Sequence, residues 1–323
     1  MTTSGIEGAV AEAAALTSAR PDPPRRTESA WRRRDRAWGW LFVGPQLIGM
    51  GVFVVLPFFA SMVLAFASWN GLTALEWVGF DNFADQFQDE LLWRSIANTL
   101  FIAIVTVPIG LGLAVVIAVA LEKLKTRTLY LVLFFAPVMT STVAVAMIWQ
   151  QMFRADGIMS AAIAKVLGIA PPDWLGDPKL ALIAVSIVTI WASLGLNVVI
   201  FLAGLQNISP GVIEAARIDG AGAWRIFWSI RLPLLSPIIF FSSVVAFISS
   251  LQTFDTVYVL VADAGPDNAT RTIVYHIFDL GFRRFEFGPS SAASIMLLVI
   301  TLIITAIQFG AQKRFVHYEE DAA

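Results

Sequence analysis

The chain has 323 residues, of which 57% are hydrophobic and only 14% charged, with mean hydropathy +0.73 and a formal net charge of −2. A soluble domain carries about 25% charged residues, so the deficit points to lipid and not to a large soluble core. Cysteine is absent, which excludes disulfides, thiol catalysis and cysteine metal sites; the two histidines, His276 and His317, lie far apart and suit structural or exposed positions.

Residues 1–37 are polar and rich in Pro and Ala, without the apolar core of a cleaved signal peptide. They read as a cytoplasmic, largely disordered basic tail. Arg32–Arg34 with Trp31, Trp38 and Trp40 form a basic, aromatic anchor at the inner interface. Charge-free windows then mark six spans. Helices are expected near 38–67, 95–121, 129–152, 181–206, 235–262 and 291–312, each longer than the ~20 residues that cross a bilayer core. They must be helical, because lipid cannot satisfy open backbone groups. The fifth is expected to continue past Asp255 into Thr256–Val261. Residues 38–312 thus form one six-helix transmembrane domain and residues 313–323 a second cytoplasmic tail. The fold class is an all-α integral membrane protein with six transmembrane helices.

Lys and Arg set the orientation. With the N-terminus inside, seven Arg of the tail share the cytoplasm with Lys123, Lys125, Arg127, Arg217, Arg225, Arg231, Lys313 and Arg314, which leaves 7 of the chain's 22 outside. Both termini are therefore expected in the cytoplasm. Two external segments are long: residues 69–94, with Glu76, Asp81, Asp85, Asp89 and Glu90, and residues 154–179, with a short amphipathic stretch near Ile158–Leu167. Each reads either as a solvated connection or as a docking surface for an external partner.

Residues 209–233 form a polar, small-residue loop between the fourth and fifth spans. Ser209 suits an N-cap and Pro210 the first helical position. A short helix should run to about Asp219, and Gly220 fits the C′ position, where a left-handed conformation comes easily only to Gly. Asp219 could cap a second short helix, over about Ala221–Arg231, that Pro233 ends. Trp224, Phe227 and Trp228 fall on one face of it. Ala215, Ala216 and Gly220 leave a face bare enough for another protein to approach. A loop of this composition could also rest on lipid headgroups.

The fixed positions Glu214, Ala215, Ala216, Gly220, Ile230, Leu232 and Pro233 match the spacing E-A-A-x3-G-x9-I-x-L-P. Over residues 38–318 the chain resembles the membrane subunits of binding-protein-dependent ABC sugar importers of the maltose and glycerol-3-phosphate type. Supporting stretches are Trp77–Phe83, Asn98–Leu100, Ala203–Gln206, Phe254–Leu260, Gly288 with Ser291 and Ala292, and Val316–Tyr318. The resemblance implies the type I importer fold. It also implies that Glu214, Ala215, Ala216, Asp219, Gly220, Ile230, Leu232 and Pro233 form the coupling loop that grips a separate ATPase. The implied partners are a second homologous permease, two ATP-binding subunits, an external solute-binding protein and a sugar, in a bacterial plasma membrane. One departure is visible: such chains read Leu-Thr-x-Gly-Gly-Pro after the fifth span, and this one reads Leu-Val-Ala-Asp-Ala-Gly-Pro at 260–266. That turn is expected to differ in conformation or contact.

The Gly-Lys pair of a GxxxxGK[ST] phosphate loop is absent, so the chain is expected to be non-catalytic and to bind no cofactor, with ATP and Mg²⁺ on the partner ATPase. Polar residues within spans are costly in lipid and mark candidate solute contacts: Asn98, Trp149, Gln150, Trp191, Asn197, Gln252 and Asp255. An ion-coupled secondary transporter would need paired broken helices and intramembrane ion ligands, and one intramembrane Asp with no visible inverted repeat argues against it; an integral membrane enzyme would need convergent His, Glu or Cys inside the spans, and these are missing. Cargo of the glycerol-3-phosphate or glycerophosphodiester type is the nearest alternative to a sugar.

Overall fold

The computed structural model describes residues 28–168 and 170–315. Contacts divide the chain into two units, one up to Phe59 and one from Ala60 onward. The first unit opens with α1 (Glu28–Met50), passes through a π turn at Gly51–Val55 and enters α2 (Leu56–Leu64). Helix therefore begins inside the segment expected to be a disordered tail. The last proline before it is Pro24, and Glu28–Ala37 holds good helix formers with no breaker. Residues 1–27 and 316–323, with the Val316–Tyr318 stretch and His317, lie outside the described residues. The span Trp38–Leu64 buries none of its apolar window within the chain; Phe42 and Phe53 are about four-fifths exposed.

The second unit takes in the end of α2 and then the segment 65–89. A short antiparallel pair, β1 (Ala67–Ser68) with β2 (Glu76–Trp77), is closed by Asn70, whose Oδ1 accepts from the Leu72 and Thr73 N–H groups. α3 (Asp81–Gln88) comes next, and buried Asn82 donates to the Ala65 and Ala67 carbonyls at 2.9 Å. α4 (Glu90–Glu122) starts five residues before the expected 95, because Asp89 caps it by accepting from the Leu91 N–H at 2.8 Å. The charge-free window marks only its apolar part.

The expected third span does not run as one straight helix. α5 (Arg127–Phe135) runs into a 3₁₀ turn at Ala136–Met139, and α6 (Thr142–Phe153) resumes after Thr140 and Ser141. The two arms, Arg127–Met139 and Thr142–Val166, are bent by 101°. Pro137 and the Thr140 hydroxyl, which donates back to the Ala136 carbonyl, end the first arm. α7 (Ile158–Leu167) coincides with the predicted amphipathic stretch and is closed by Gly168 in the left-handed region. α8 (Pro178–Gln206) is capped by Asp177, which accepts from the Lys179 N–H at 2.7 Å. After it come α9 (Pro210–Ile218), α10 (Ala223–Ile226) and α11 (Leu232–Leu251), then α12 (Asp255–Leu260), α13 (Ile273–Phe278) and α14 (Phe287–Phe315). Among the described residues, five helices are long and apolar enough to cross a membrane, and a sixth if the bent pair is one span.

One core cluster lies between α4, α8 and α11. Val107, Leu111, Ala114, Val115, Ala118 and Leu121 repeat along one stripe of α4 against Val198, Phe201, Leu202 and Leu205 of α8 and Leu235 of α11. Lipid removes the hydrophobic drive between helices, so close packing of small residues has to hold them. Gly195 is the tightest case: a Cβ there would collide with the Phe134 carbonyl of α5.

The fifth span also departs from expectation. It does not run through Asp255: α11 ends at Leu251, Phe254 is non-helical (φ −134°, ψ −60°), and α12 restarts at Asp255. Beyond it, Asp263, Ala264, Asp267 and Asn268 have φ of 49°, 61°, 52° and 56°. This is the turn whose sequence departs from the family pattern. The left-handed backbone is held by the Thr270 N–H to the Ala264 carbonyl at 2.9 Å and by Asn98.

Candidate functional site: the exposed loop and the membrane cavity

The loop 209–233 folds around one turn. α9 carries Pro210 in its first turn, with Ser209 in the N-cap position but making no cap hydrogen bond. At its end the Gly220 N–H donates to the Arg217 carbonyl at 3.0 Å and the Ala221 N–H to the Ala216 carbonyl at 2.9 Å. This reciprocal pair is a Schellman motif with Gly220 at C′ (φ +80°). Glu214, Ala215, Asp219 and Gly220 are exposed and Ala216 half-buried, while Ile213 points inward.

Two local expectations are corrected. Gly222, not Asp219, occupies the N-cap of the second helix. Pro233 does not end that helix: residues 223–251 are continuous, because a π turn at Phe227–Arg231 precedes the proline. There the Leu232 N–H reaches back to the Phe227 carbonyl, and Pro233 falls in the first turn of α11, where a missing N–H is tolerated. Ile230 and Leu232 are half-buried within this continuous helix. Trp224, Phe227 and Trp228 form a ring cluster, with the two Trp centroids 5.6 Å apart and Trp224 75% exposed.

Between α4, α8 and α11 lies a cavity of about 250 Å³. Its walls are apolar apart from a set of hydroxyls and one amide: Thr106 on α4; Thr189, Ser193 and Asn197 on α8; Ser242, Ser249 and Ser250 on α11. Thr106 and Ser250 meet across it at 3.3 Å. No charged residue lines it.

Of the seven residues singled out for solute contact, only Asn197 lines this cavity. Asn98 instead donates to the Asn268 and Arg271 carbonyls, at 3.3 and 3.0 Å. Gln150 donates to the Val259 and Leu260 carbonyls and closes the end of α12. Trp149 is buried in the core, 5.3 Å from Phe153 and edge-on to the half-exposed Trp191 at 5.6 Å. Gln252 and Asp255 are exposed where α11 breaks and α12 begins. Large polar side chains within spans need a reason for their burial; here the reason is unpaired carbonyls at broken helices. The readable signal for the cavity is the stripe Thr189, Ser193, Asn197 at i, i+4, i+8.

A buried polar cluster fixes the segment 262–284. Arg271 is 4% exposed and donates to Asp279 Oδ2 at 2.7 Å, and Arg284 donates to the same oxygen at 2.9 Å. The Arg271 Nε donates to Nδ1 of fully buried His276 at 3.3 Å, so Nε2 carries the proton toward Gln86 Oε1 at 2.9 Å. Burial, and then the Arg271 charge, push the His276 pKa down to about 4. Burial alone would raise the Asp279 carboxyl, but the hydrogen bond and charge of Arg271, with Arg284, hold it below the usual range.

His276 therefore stays neutral in the fold at pH values where the unfolded chain takes up a proton. Stability is fully present above about pH 6.5 and is lost as pH falls toward 4, by on the order of 2–3 kcal/mol. In detergent, the thermal midpoint should drop between pH 6.5 and 4.5. His276→Gln keeps one acceptor and one donor without a titrating proton, so its midpoint should be flatter across that window; a parallel pH curve would assign the loss to another group.

The family model for "Binding-protein-dependent transport system inner membrane component" matches residues 110–317. The probable ABC transporter permease protein YesP of Bacillus subtilis is 37% identical over 291 residues, 89% of this chain and 94% of that one. The lactose transport system permease protein LacF of Rhizobium radiobacter is 32% identical, covering 89% and 98%. The sn-glycerol-3-phosphate transport system permease protein UgpA of Yersinia pestis is 33% identical, covering 87% and 95%. In fold, the chain superposes with TM-score 0.77 on a chain of a bacterial alginate ABC transporter crystallised with an alginate pentasaccharide-bound periplasmic protein, at 23% identity over 89% and 98% of the two chains. The chain belongs to the family of binding-protein-dependent transport system inner membrane components: it is a multi-pass membrane permease subunit of the ABC importer type.

Proposed function

We propose that this permease carries a neutral carbohydrate inward, forms half of the path with a second permease, and takes its driving force from two separate ATP-binding subunits at the 209–233 loop. ATP and Mg²⁺ sit on those partners, and an external binding protein delivers the sugar. The observation that carries the reading is the exposed helix–turn–helix built on the Glu-Ala-Ala spacing, with its Schellman turn at Gly220. An exposed pair of small residues, Ala215 and Gly220, beside charged Glu214 and Asp219 suits docking into a groove of another protein.

The cavity supports the cargo. Six hydroxyls and one amide can exchange hydrogen bonds with a polyol. A glycerol-3-phosphate dianion would need a cation, and none lines the cavity. Lactose and glycerol-3-phosphate are the names borne by relatives of similar identity, so the cavity chemistry, not the likeness, favours the sugar.

The test is reconstitution with the second permease, the ATPase and the binding protein in liposomes. ATP hydrolysis should rise with binding protein loaded with mono- or disaccharide and not with glycerophosphates. The reverse ranking would assign the cargo to the phosphates, and hydrolysis by the isolated chain would refute the separate motor. Orientation follows from the distribution of Lys and Arg: reporter fusions after residues 123 and 313 should report cytoplasm, and those after 85 and 270 the outside. An outside signal at 123 would overturn the assignment.

A further inference from the structure

A second cavity, of about 330 Å³, opens beside α9 at the ends of α4 and α8, lined by Glu122, Gln206, Ile213, Glu214, Arg217 and Arg231 among others. In its wall Arg231 Nη2 lies 2.8 Å from Glu122 Oε2, with the side chains only 11% and 24% exposed. The approach makes an ion pair without an aligned hydrogen bond. Glu122 is the last residue of α4, where the helix dipole disfavours a carboxylate. Its neighbour Lys123 is exposed to solvent, and the buried Arg231 supplies the compensating charge. The π turn brings that guanidinium to bear: one residue inserted in a helix turns the later side chains by about 100°.

We propose that the Arg231–Glu122 pair is the link that makes α4 follow the 209–233 loop, so that the two walls of the membrane cavity move together. The inference rests on the reading that an ATPase pulls on this loop. Residues 223–251 are one continuous helix, so displacement of the loop passes into α11 through the chain itself. α11 supplies Ser242, Ser249 and Ser250 to the cavity, and α4 supplies Thr106 and Gly110. α4 has no covalent tie to the loop. At the cytoplasmic end it is held by apolar packing, which can slide, and by this pair, which cannot slide without exposing an uncompensated buried charge. Such a pair contributes registry more than stability. Arg231 and Glu122 are positioning residues: their side chains are largely buried in the cavity wall beside α9.

The experiment uses the reconstituted complex and reads solute uptake per ATP hydrolysed. Arg231→Gln and Glu122→Gln should keep the ATPase on the complex and keep it hydrolysing, while uptake per ATP falls roughly tenfold. Arg231→Lys should recover most of that ratio, and the reversed pair Glu122→Arg with Arg231→Glu should recover part of it. An unchanged ratio in Arg231→Gln overturns the proposal. So does loss of the ATPase from Arg231→Gln that Arg231→Lys fails to restore, since that outcome makes the pair a plain structural brace. If the ATPase does not co-purify with the unmodified chain, the docking of the loop fails, and that failure is separate from the link.

Discussion

Gly220→Val is expected to leave the chain inserted in the membrane, to release the ATPase and to stop transport. Gly220 has φ +80° and its missing Cβ points into open space. The cost of a side chain there is therefore backbone strain, roughly 1–2 kcal/mol for a β-branched residue, and not a clash inside the chain. That sum cannot unfold a bundle held by α4, α8 and α11. It is enough to open the turn whose two hydrogen bonds, Gly220 to Arg217 and Ala221 to Ala216, set the angle between α9 and α10. The isopropyl group also stands on the exposed face offered to the partner. Strain and steric block act together, and each 1.4 kcal/mol is a factor of about ten in affinity. Ala215→Asp should have a similar effect through an unpaired charge at the contact. Ser229→Ala, on an exposed part of the π turn, should change little. Co-purification of the ATPase with each variant, beside solute uptake, decides the matter. Retention of the ATPase and normal uptake in Gly220→Val would remove this loop from coupling.

The loop is legible in the sequence because its signals are local. Ser209-Pro210, Gly220 and the apolar spacing between them each constrain one or two backbone positions. The segment after Gly220 misleads because a π turn leaves no mark in residue types: Phe-Trp-Ser-Ile-Arg before Leu-Pro reads as a helix about to stop, and the extra residue in the turn lets it continue. The spans are legible from the absence of charge, while their breaks are not. Neither the 101° bend before Thr142 nor the gap at Gln252–Phe254 carries a charged residue. The gap is held by a distant partner, Thr272 Oγ1 donating to the Thr253 carbonyl, and the end of α12 by Gln150. The buried polar cluster is invisible for the same reason: Gln86, Arg271, His276 and Asp279 meet only in the fold. So is the ion pair between Glu122 and Arg231, since a count of charges along the chain cannot show that two residues so far apart meet.

The cavity provides the second large effect. Ser193→Phe is expected to abolish uptake while the complex still assembles with its ATPase. Ser193 is exposed to the cavity on α8, one turn from both Thr189 and Asn197, and its hydroxyl makes only a bond back to the Ile190 carbonyl at 3.1 Å. The fold therefore loses little when that hydroxyl goes. A phenyl ring in a space of about 250 Å³ removes much of the room a sugar ring would occupy and replaces a donor with apolar surface. Steric exclusion of this kind should lower uptake by at least about tenfold, with hydrolysis by the partner retained and no longer raised by loaded binding protein. Asn98→Ala offers the contrast. Its amide holds two carbonyls of the 268–271 turn, so the loss should appear as about 1–3 kcal/mol of stability with the order of preferred sugars unchanged. If Ser193→Phe transports normally while Asn98→Ala changes which sugar is taken, the path runs along the outer turn and not through this cavity.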